Sequence, residues 1–162
     1  MCPNWCSNNL SLSHKDPAMI SRAKDAFENR KFFQEFVPLP EKEDDWYSWC
    51  CENWGTKWDI SNGYIGMEST NELQLGFDTA WSPPIAFYKK MEELGFTISA
   101  DYREEGMQFI GEYSNGEDDC YDYDFSDDEW RNHLPDHLAE ELEPEYEMWL
   151  EYCEQEKDAE VA

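Results

Sequence analysis

Basic residues are scarce in this chain: 12 Lys and Arg stand against 38 Asp and Glu, a formal charge of −26 at neutral pH. With a pI near 4.1, such a chain repels nucleic acid and anionic membrane surfaces, which excludes a conventional binder of either. Long hydrophobic runs are missing too. No apolar stretch approaches the roughly 18 residues of a membrane span, and the N-terminus lacks the basic-then-apolar order of a secretion signal. The expectation is a soluble protein of the cytoplasm. Glycine-rich phosphate loops and a G-x-S-x-G elbow are absent, and no cysteine–histidine arrangement suggests a nucleophile. Carboxylate pairs such as Glu104 and Glu105 occur because acids are abundant, so they carry no catalytic signal. No enzyme and no cofactor are expected.

Histidine is sparse, with three residues. His133 and His137 have helical i,i+4 spacing, but Pro135 lies between them and no Glu follows His133, so a surface or capping role fits better than metal binding. The six cysteines (Cys2, Cys6, Cys50, Cys51, Cys120 and Cys153) read as reduced thiols in a cytoplasmic protein. Cys2-x3-Cys6 with the adjacent pair Cys50-Cys51 departs from zinc-knuckle spacing, and neighbouring cysteines rarely reach one tetrahedral ion. The Asp-rich run from Asp118 to Glu129 fails as an EF-hand: Cys120 falls at the third ligand position and Tyr123 where the turn needs glycine. No metal site is expected.

What is present is enough apolar material for a core, 40% hydrophobic and 16% aromatic residues, which excludes general disorder. Charge divides the chain. Residues 1–111 hold 18 acids and 10 bases, whereas residues 112–162 hold 20 acids and only Arg131 and Lys157. The first part alternates strand and helix signals. Cys6, Leu10 and Leu12 share one face of an extended segment, with Ser7, Asn9, Ser11 and Ser13 on the other. Asp16-Pro17 opens a helix with Ile20, Ala23 and Phe27 as its buried stripe. Ile65 and Met67, a Ser69-Thr70-Asn71 turn, then Leu73, Leu75 and Phe77 read as a hairpin. Ser82-Pro83 opens a second helix carrying Phe87, Met91 and Leu94, and Gly95 stops it. Phe96, Ile98, Ala100 and Tyr102 alternate as a further strand. Strand, helix, hairpin, helix, strand is the split βαβ order of an α+β, ferredoxin-like fold.

Decorations are expected on that core. Residues 31–62 form an insertion holding four of the eight tryptophans. Residues 107–113 and 120–125 flank Asn115-Gly116 as an added hairpin, with a loop longer than two residues. Leu134, Leu138 and Leu142, continued by Tyr146, Trp149, Leu150 and Cys153, mark acidic C-terminal helices, where Pro144 starts a second helix or kinks a single one. The expected division is a ferredoxin-like domain over residues 1–113 and an acidic hairpin and helical extension over residues 114–162.

Two segments combine tryptophan with a carboxylate: Glu52-Asn53-Trp54-Gly55-Thr56-Lys57-Trp58-Asp59 and Phe77-Asp78-Thr79-Ala80-Trp81-Ser82-Pro83-Pro84. Trp54, Trp58 and Trp81 with Lys57, Asp59 and Asp78 are candidates for an aromatic, anionic pocket taking a cation, a base or a peptide. The competing reading has the indoles closing the core, Lys57 paired with an Asp and Asp78 capping a turn.

Together with Pro3-Asn4-Trp5-Cys6-Ser7-Asn8, these segments resemble the YubB-like family of phage and plasmid proteins, which carries a ferredoxin-like domain. The resemblance spans roughly residues 3–113. It implies a topology without an iron–sulfur cluster and a mobile-element origin, and it supplies no catalytic residues.

The acids suggest a function. Residues 136–160 hold 11 acids in 25 positions, about one charge per 3.4 Å of helix, the axial density of one DNA strand. The expectation is a phage or plasmid protein that inhibits a basic, nucleic-acid-binding host protein, a defence factor, by presenting carboxylates in place of phosphates. Asp118, Asp119, Asp122, Asp124, Asp127, Asp128, Glu147, Glu151 and Glu154 are the expected partner-binding residues.

Overall fold

The structure is a computed structural model and describes residues 2–161. Its elements are β1 (Trp5–Ser13), α1 (Pro17–Glu28), α2 (Phe32–Phe36), α3 (Trp46–Asn53), β2 (Ser61–Glu68), β3 (Glu72–Ala80), α4 (Ile85–Glu93), β4 (Thr97–Glu104), β5 (Phe109–Ser114), β6 (Glu117–Asp122), a 3₁₀ turn at Trp130–His133, and α5 (Asp136–Val161). The strands form a single sheet in the order β2-β3-β1-β4-β5-β6. The first four strands follow the ferredoxin-like order, with β1 antiparallel to both β3 and β4 and β2 antiparallel to β3. The fold is α+β, and β5 and β6 widen the sheet beyond β4.

Period-two alternation sets the layers. On β1, Cys6, Asn8, Leu10 and Leu12 are buried while Asn9 is exposed. The buried side meets Ile20, Ala23 and Phe27 of α1, Phe32 and Phe33 of α2, and Phe87 and Met91 of α4 in one core with Leu73, Leu75, Phe77 and Ile98. Helices therefore cover one face of the sheet, and the other is polar. Asp16 caps α1 by accepting the Ala18 amide at 2.9 Å, and Pro17 occupies the first turn where its missing N–H is harmless.

Three boundaries differ from the sequence reading. The added hairpin turns on two residues, Asn115 and Gly116, both left-handed at φ +51° and +79°. That pair suits the primed turns of tight hairpins, so β6 begins at Glu117 and absorbs the acids expected in a longer loop. Helix α4 starts at Ile85 because the Ser82 hydroxyl donates to the Gly55 carbonyl at 2.6 Å instead of capping it. The acidic C-terminal helices are one helix, α5, which runs through Pro144.

The chain separates into two compact units, the first ending at Cys120 and the second beginning at Tyr121. The expected domain boundary, between residues 113 and 114, lies within β5. In the second unit, the rings of Phe125, Trp130, Tyr146 and Trp149 pack together with centroids 5.1 to 6.1 Å apart. Leu138 and Leu142 of α5 are also buried. Arg131 forms an ion pair with Glu143, and the Tyr123 hydroxyl donates to Glu145 at 3.0 Å. The apolar stripe of α5 therefore has a core of its own to join.

Candidate functional site

The two tryptophan-bearing segments are tied together by side-chain hydroxyls that donate to backbone carbonyls. The Thr56 hydroxyl donates to the Ala80 carbonyl at 2.9 Å, Ser82 donates to Gly55, and the Thr79 hydroxyl donates to the Ser82 carbonyl at 2.6 Å. The Trp81 amide donates to the Asn4 carbonyl at 2.8 Å. Held on both sides, Trp81 adopts φ +64°, a left-handed conformation that is an outlier for a bulky aromatic residue. Such strain persists only where the surroundings over-determine it, and it concentrates at ligand-binding and switch sites.

This geometry assembles a surface cluster of rings. Trp58 lies 6.3 Å from Trp81 and 6.4 Å from Trp5, measured between centroids, and Trp46 lies 6.1 Å from Tyr47. The Lys57 ammonium joins them, standing 4.5 Å from the centroid of Trp58, 5.3 Å from Trp81, 5.5 Å from Tyr47 and 5.9 Å from Trp46. Each distance is within cation–π range, so four rings surround one cation. The cluster remains open to solvent: Trp5, Trp46, Tyr47 and Trp58 are 38 to 46% exposed.

Of the six candidate pocket residues, Lys57, Trp58 and Trp81 meet here and three do not. Trp54 is buried against Phe33 and Trp49, with its indole N–H donating to the Val37 carbonyl at 2.8 Å. Asp59 accepts the backbone amides of Phe33, Gln34 and Ile60. Burial raises its carboxyl above the ordinary range, and the backbone amides around it offset this only in part. Asp78 belongs to the open sheet face, accepting from Ser7 at 3.3 Å and Asn62 at 2.9 Å. The anionic half of the expected pocket is thus spent on local structure, and Lys57 pairs with rings rather than with an Asp. Trp5, Trp46 and Tyr47 were missed as members of the cluster. Trp5 sits in the N-terminal motif and the Trp46-Tyr47 pair follows Asp44-Asp45, but nothing in either segment alone points toward Lys57.

The expected partner-binding acids are exposed but not equivalent. On β6 alternation sends Asp118 and Asp122 to one face and Asp119 to the other, and Asp118 accepts the Tyr102 hydroxyl at 2.5 Å. Asp124 takes the amide and hydroxyl of Ser126, which hold its carboxyl below the usual range. Asp127 accepts the Glu129 amide at 2.9 Å and lies 3.4 Å from His133. Asp128 is exposed beside it. Glu147, Glu151 and Glu154 stand on one face of α5 at helical spacing, and Glu140 and Asp158 extend the same stripe.

Elsewhere, a groove of about 510 Å³ crosses the open sheet face between Asn9, Tyr64, Gln74, Asp101 and Glu112. Asn9 donates to Asp101 across it at 2.9 Å. None of the sequence-derived site residues lines it. Among the described residues no cluster of His, Cys, Asp and Glu suits a metal ion, and no helix is long and apolar enough to cross a membrane. Cys6 and Cys50 are buried, and burial pushes the Cys6 thiol up to about 12.

Fold and surface define a ferredoxin-like α+β domain with an exposed aromatic cluster, followed by a small acidic helical unit. No protein-family model matches the chain, and no curated protein matches it. Among solved structures it is similar to the crystal structure of the protein Api92 from Yersinia pseudotuberculosis, of family model DUF1281, at 17% identity and a TM-score of 0.43. That likeness covers 58% of this chain and 40% of the other, so this chain spans about two fifths of that protein's length.

Proposed function

We propose that this protein is a non-enzymatic, YubB-like product of a phage or plasmid. It acts in the host cytoplasm by occupying the basic surface of a nucleic-acid-binding host protein, a defence factor, in place of nucleic acid. The observation that carries this reading is the stripe on α5. Glu140, Glu147, Glu151, Glu154 and Asp158 share one exposed face, and none is in an ion pair with Lys or Arg among the described residues. From Glu147 onward the acids recur every three or four residues, about 4.5 to 6 Å along the axis. One DNA strand carries a charge every 3.4 Å or so, so this face alone presents somewhat over half that density. Beside the stripe, Met148 and Tyr152 are 70 and 58% exposed and would serve as apolar anchors.

The partner's binding must be exclusive with nucleic acid and must weaken steeply with salt, because basic grooves attract such a surface over long range. The test is affinity for a basic protein captured from host lysate, measured with and without saturating DNA or RNA. Competition, together with weakened binding by Glu147→Gln/Glu151→Gln/Glu154→Gln, supports the reading. Simultaneous binding of both ligands, or undiminished affinity of the triple variant, refutes it.

A further inference from the structure

We propose that the rings around Lys57 form a recognition site for a guanidinium group, and that the occupant is an arginine side chain on a basic polypeptide, with Lys57 as an internal placeholder that the arginine displaces. The site belongs to the first unit and shares no residue with the acid stripe of α5, and it requires no competition with nucleic acid. It shares with the proposed function only the basic character of the partner.

Four observations lead here. The cluster demonstrably accepts a cation, since the Lys57 ammonium sits within 6 Å of four ring centroids. Between Trp58 and Trp81 the cation is not sandwiched: its distances to them, set against the 6.3 Å between those rings, form a corner near a right angle. The ammonium is therefore not clamped between that pair of rings and can leave them without their parting. The exposure of Trp46, Tyr47 and Trp58 leaves room above them. Finally, Trp81 is held at φ +64° by its own amide bond to Asn4 and by bonds on its two neighbours, Thr56 to the Ala80 carbonyl and Ser82 to the Gly55 carbonyl, so the site is built before any ligand arrives.

Charge decides the sign of the ligand. Rings with a lysine among them also suit a nucleotide, whose base would stack and whose phosphate would meet Lys57. The formal charge of −26, with Asp44 and Asp45 directly preceding Trp46, opposes an anion and concentrates cations. The choice among cations follows from the placeholder. Lys57 is tethered, at an effective concentration that a free primary ammonium cannot match. A displacing group must gain more from the rings than an ammonium does. Guanidinium is planar, stacks on indole and sheds water more readily. The cluster extends from Trp5 to Tyr47, broader than one small cation, and aromatic surfaces of this composition are typical of protein contacts.

The experiment is calorimetric titration of the full chain with octa-arginine and octa-lysine peptides at about 150 mM salt, where exposed charges are largely screened beyond roughly 8 Å. Octa-arginine should bind more tightly. Trp58→Ala should weaken octa-arginine by about five- to thirty-fold, the span of one to two cation–π contacts, and bring it level with octa-lysine. Lys57→Ala should strengthen octa-arginine by vacating the cluster. Should Trp58→Ala fail to fold, Trp46→Ala on the exposed side of α3 carries the same test. Equal binding of the two peptides by the wild type, or an arginine preference that survives Trp58→Ala and Trp46→Ala, overturns the proposal. So does tetramethylammonium displacing the peptide at lower concentration than an arginine amide, which would assign the site to a small quaternary cation. The triple Gln variant of α5 separates this idea from the proposed function: a loss confined to that variant, equal for both peptides, sinks the arginine site and leaves the acid stripe standing.

Discussion

Both carboxylate oxygens of Asp59 accept the backbone amide of Phe33, at 3.0 and 3.1 Å. The same carboxylate takes the amides of Gln34 at 3.0 Å and Ile60 at 2.8 Å. One side chain thus ties the start of α2, whose Phe32 and Phe33 are fully buried, to the strand that follows. Asp59→Ala leaves these amides without their acceptor and should lower stability by about 1–3 kcal/mol in urea titrations. Because burial raises the Asp59 carboxyl, the folded chain holds its proton more tightly than the unfolded chain. Its linkage contribution is fully present below the ordinary carboxylate value and is lost as pH rises through the raised one. The stability advantage of wild type over Asp59→Ala should therefore widen between pH 7 and pH 4.5. A gap that narrows on acidification would show the sign to be wrong.

Trp54 and Trp58 should behave oppositely although four residues apart. Trp54 is 5% exposed and hydrogen-bonded through its indole, whereas Trp58 is 38% exposed. Trp54→Ala should cost about 3–5 kcal/mol, as for other buried aromatics. Trp58→Ala should cost well under half as much. Thermal melts of the two variants check this.

At position 81 the usual ranking of glycine and alanine should invert. An L-residue at φ +64° is penalised and glycine is not. Trp81→Gly should exceed Trp81→Ala in stability by about 1 kcal/mol, even though glycine ordinarily destabilises through the entropy of the unfolded chain. If Ala proves the more stable, the backbone there is not left-handed.

The Tyr88 hydroxyl is buried without a hydrogen-bond partner among the described residues. Desolvation also drives its ionisation well above the ordinary range. Tyr88→Phe removes the stranded group and keeps the ring against Tyr113, 5.4 Å away. The expected result is a gain of up to about 1 kcal/mol, since an unpaired buried polar group is costly. A clear loss in the urea midpoint would mean that the hydroxyl has a bound partner in solution.

Neutralising Glu147, Glu151 and Glu154 to Gln should raise the melting temperature slightly. These acids are exposed on a chain with a formal charge of −26, and self-repulsion weakens the compact state. The gain should shrink as salt rises. Melts at about 20 mM and about 500 mM salt, between which the Debye length falls from roughly 20 Å to roughly 4 Å, separate this from a packing effect.

Much of the fold was legible because it follows from local rules. Leu10 and Leu12 alternate with Asn9 and Ser11, so β1 showed its two faces before any partner strand was known. Asp16-Pro17 and Gly95 marked helix ends through capping and left-handed backbone, which act within a few residues. The Asn115-Gly116 turn was recognised but its length was not. The acids that follow look like loop material, and their place in β6 depends on pairing with a strand elsewhere. Pro144 left one helix or two undecided, because the burial of Leu138 and Leu142 that secures the first half of α5 is tertiary.

What the sequence by itself determined was the order of the core strands and helices, though not α2 and α3 within the insertion, the acidic excess of the last third and the presence of tryptophans in two unusual segments. Only the tertiary structure decided what those tryptophans do. The register of β1 against β3, which sets Trp5 opposite Ala80, brings the start of β1 beside Trp81, whose amide donates to the Asn4 carbonyl. The bonds of Thr56 and Ser82 then bring Lys57 and Trp58 to the same place, while Asp59 and Trp54 turn inward to amides and core. Neighbours along the chain were separated and residues 77 positions apart, Asn4 and Trp81, were joined. The physical reason is that cation–π and stacking contacts are short-ranged and indifferent to sequence distance, so their partners are chosen by strand register and backbone hydrogen bonds.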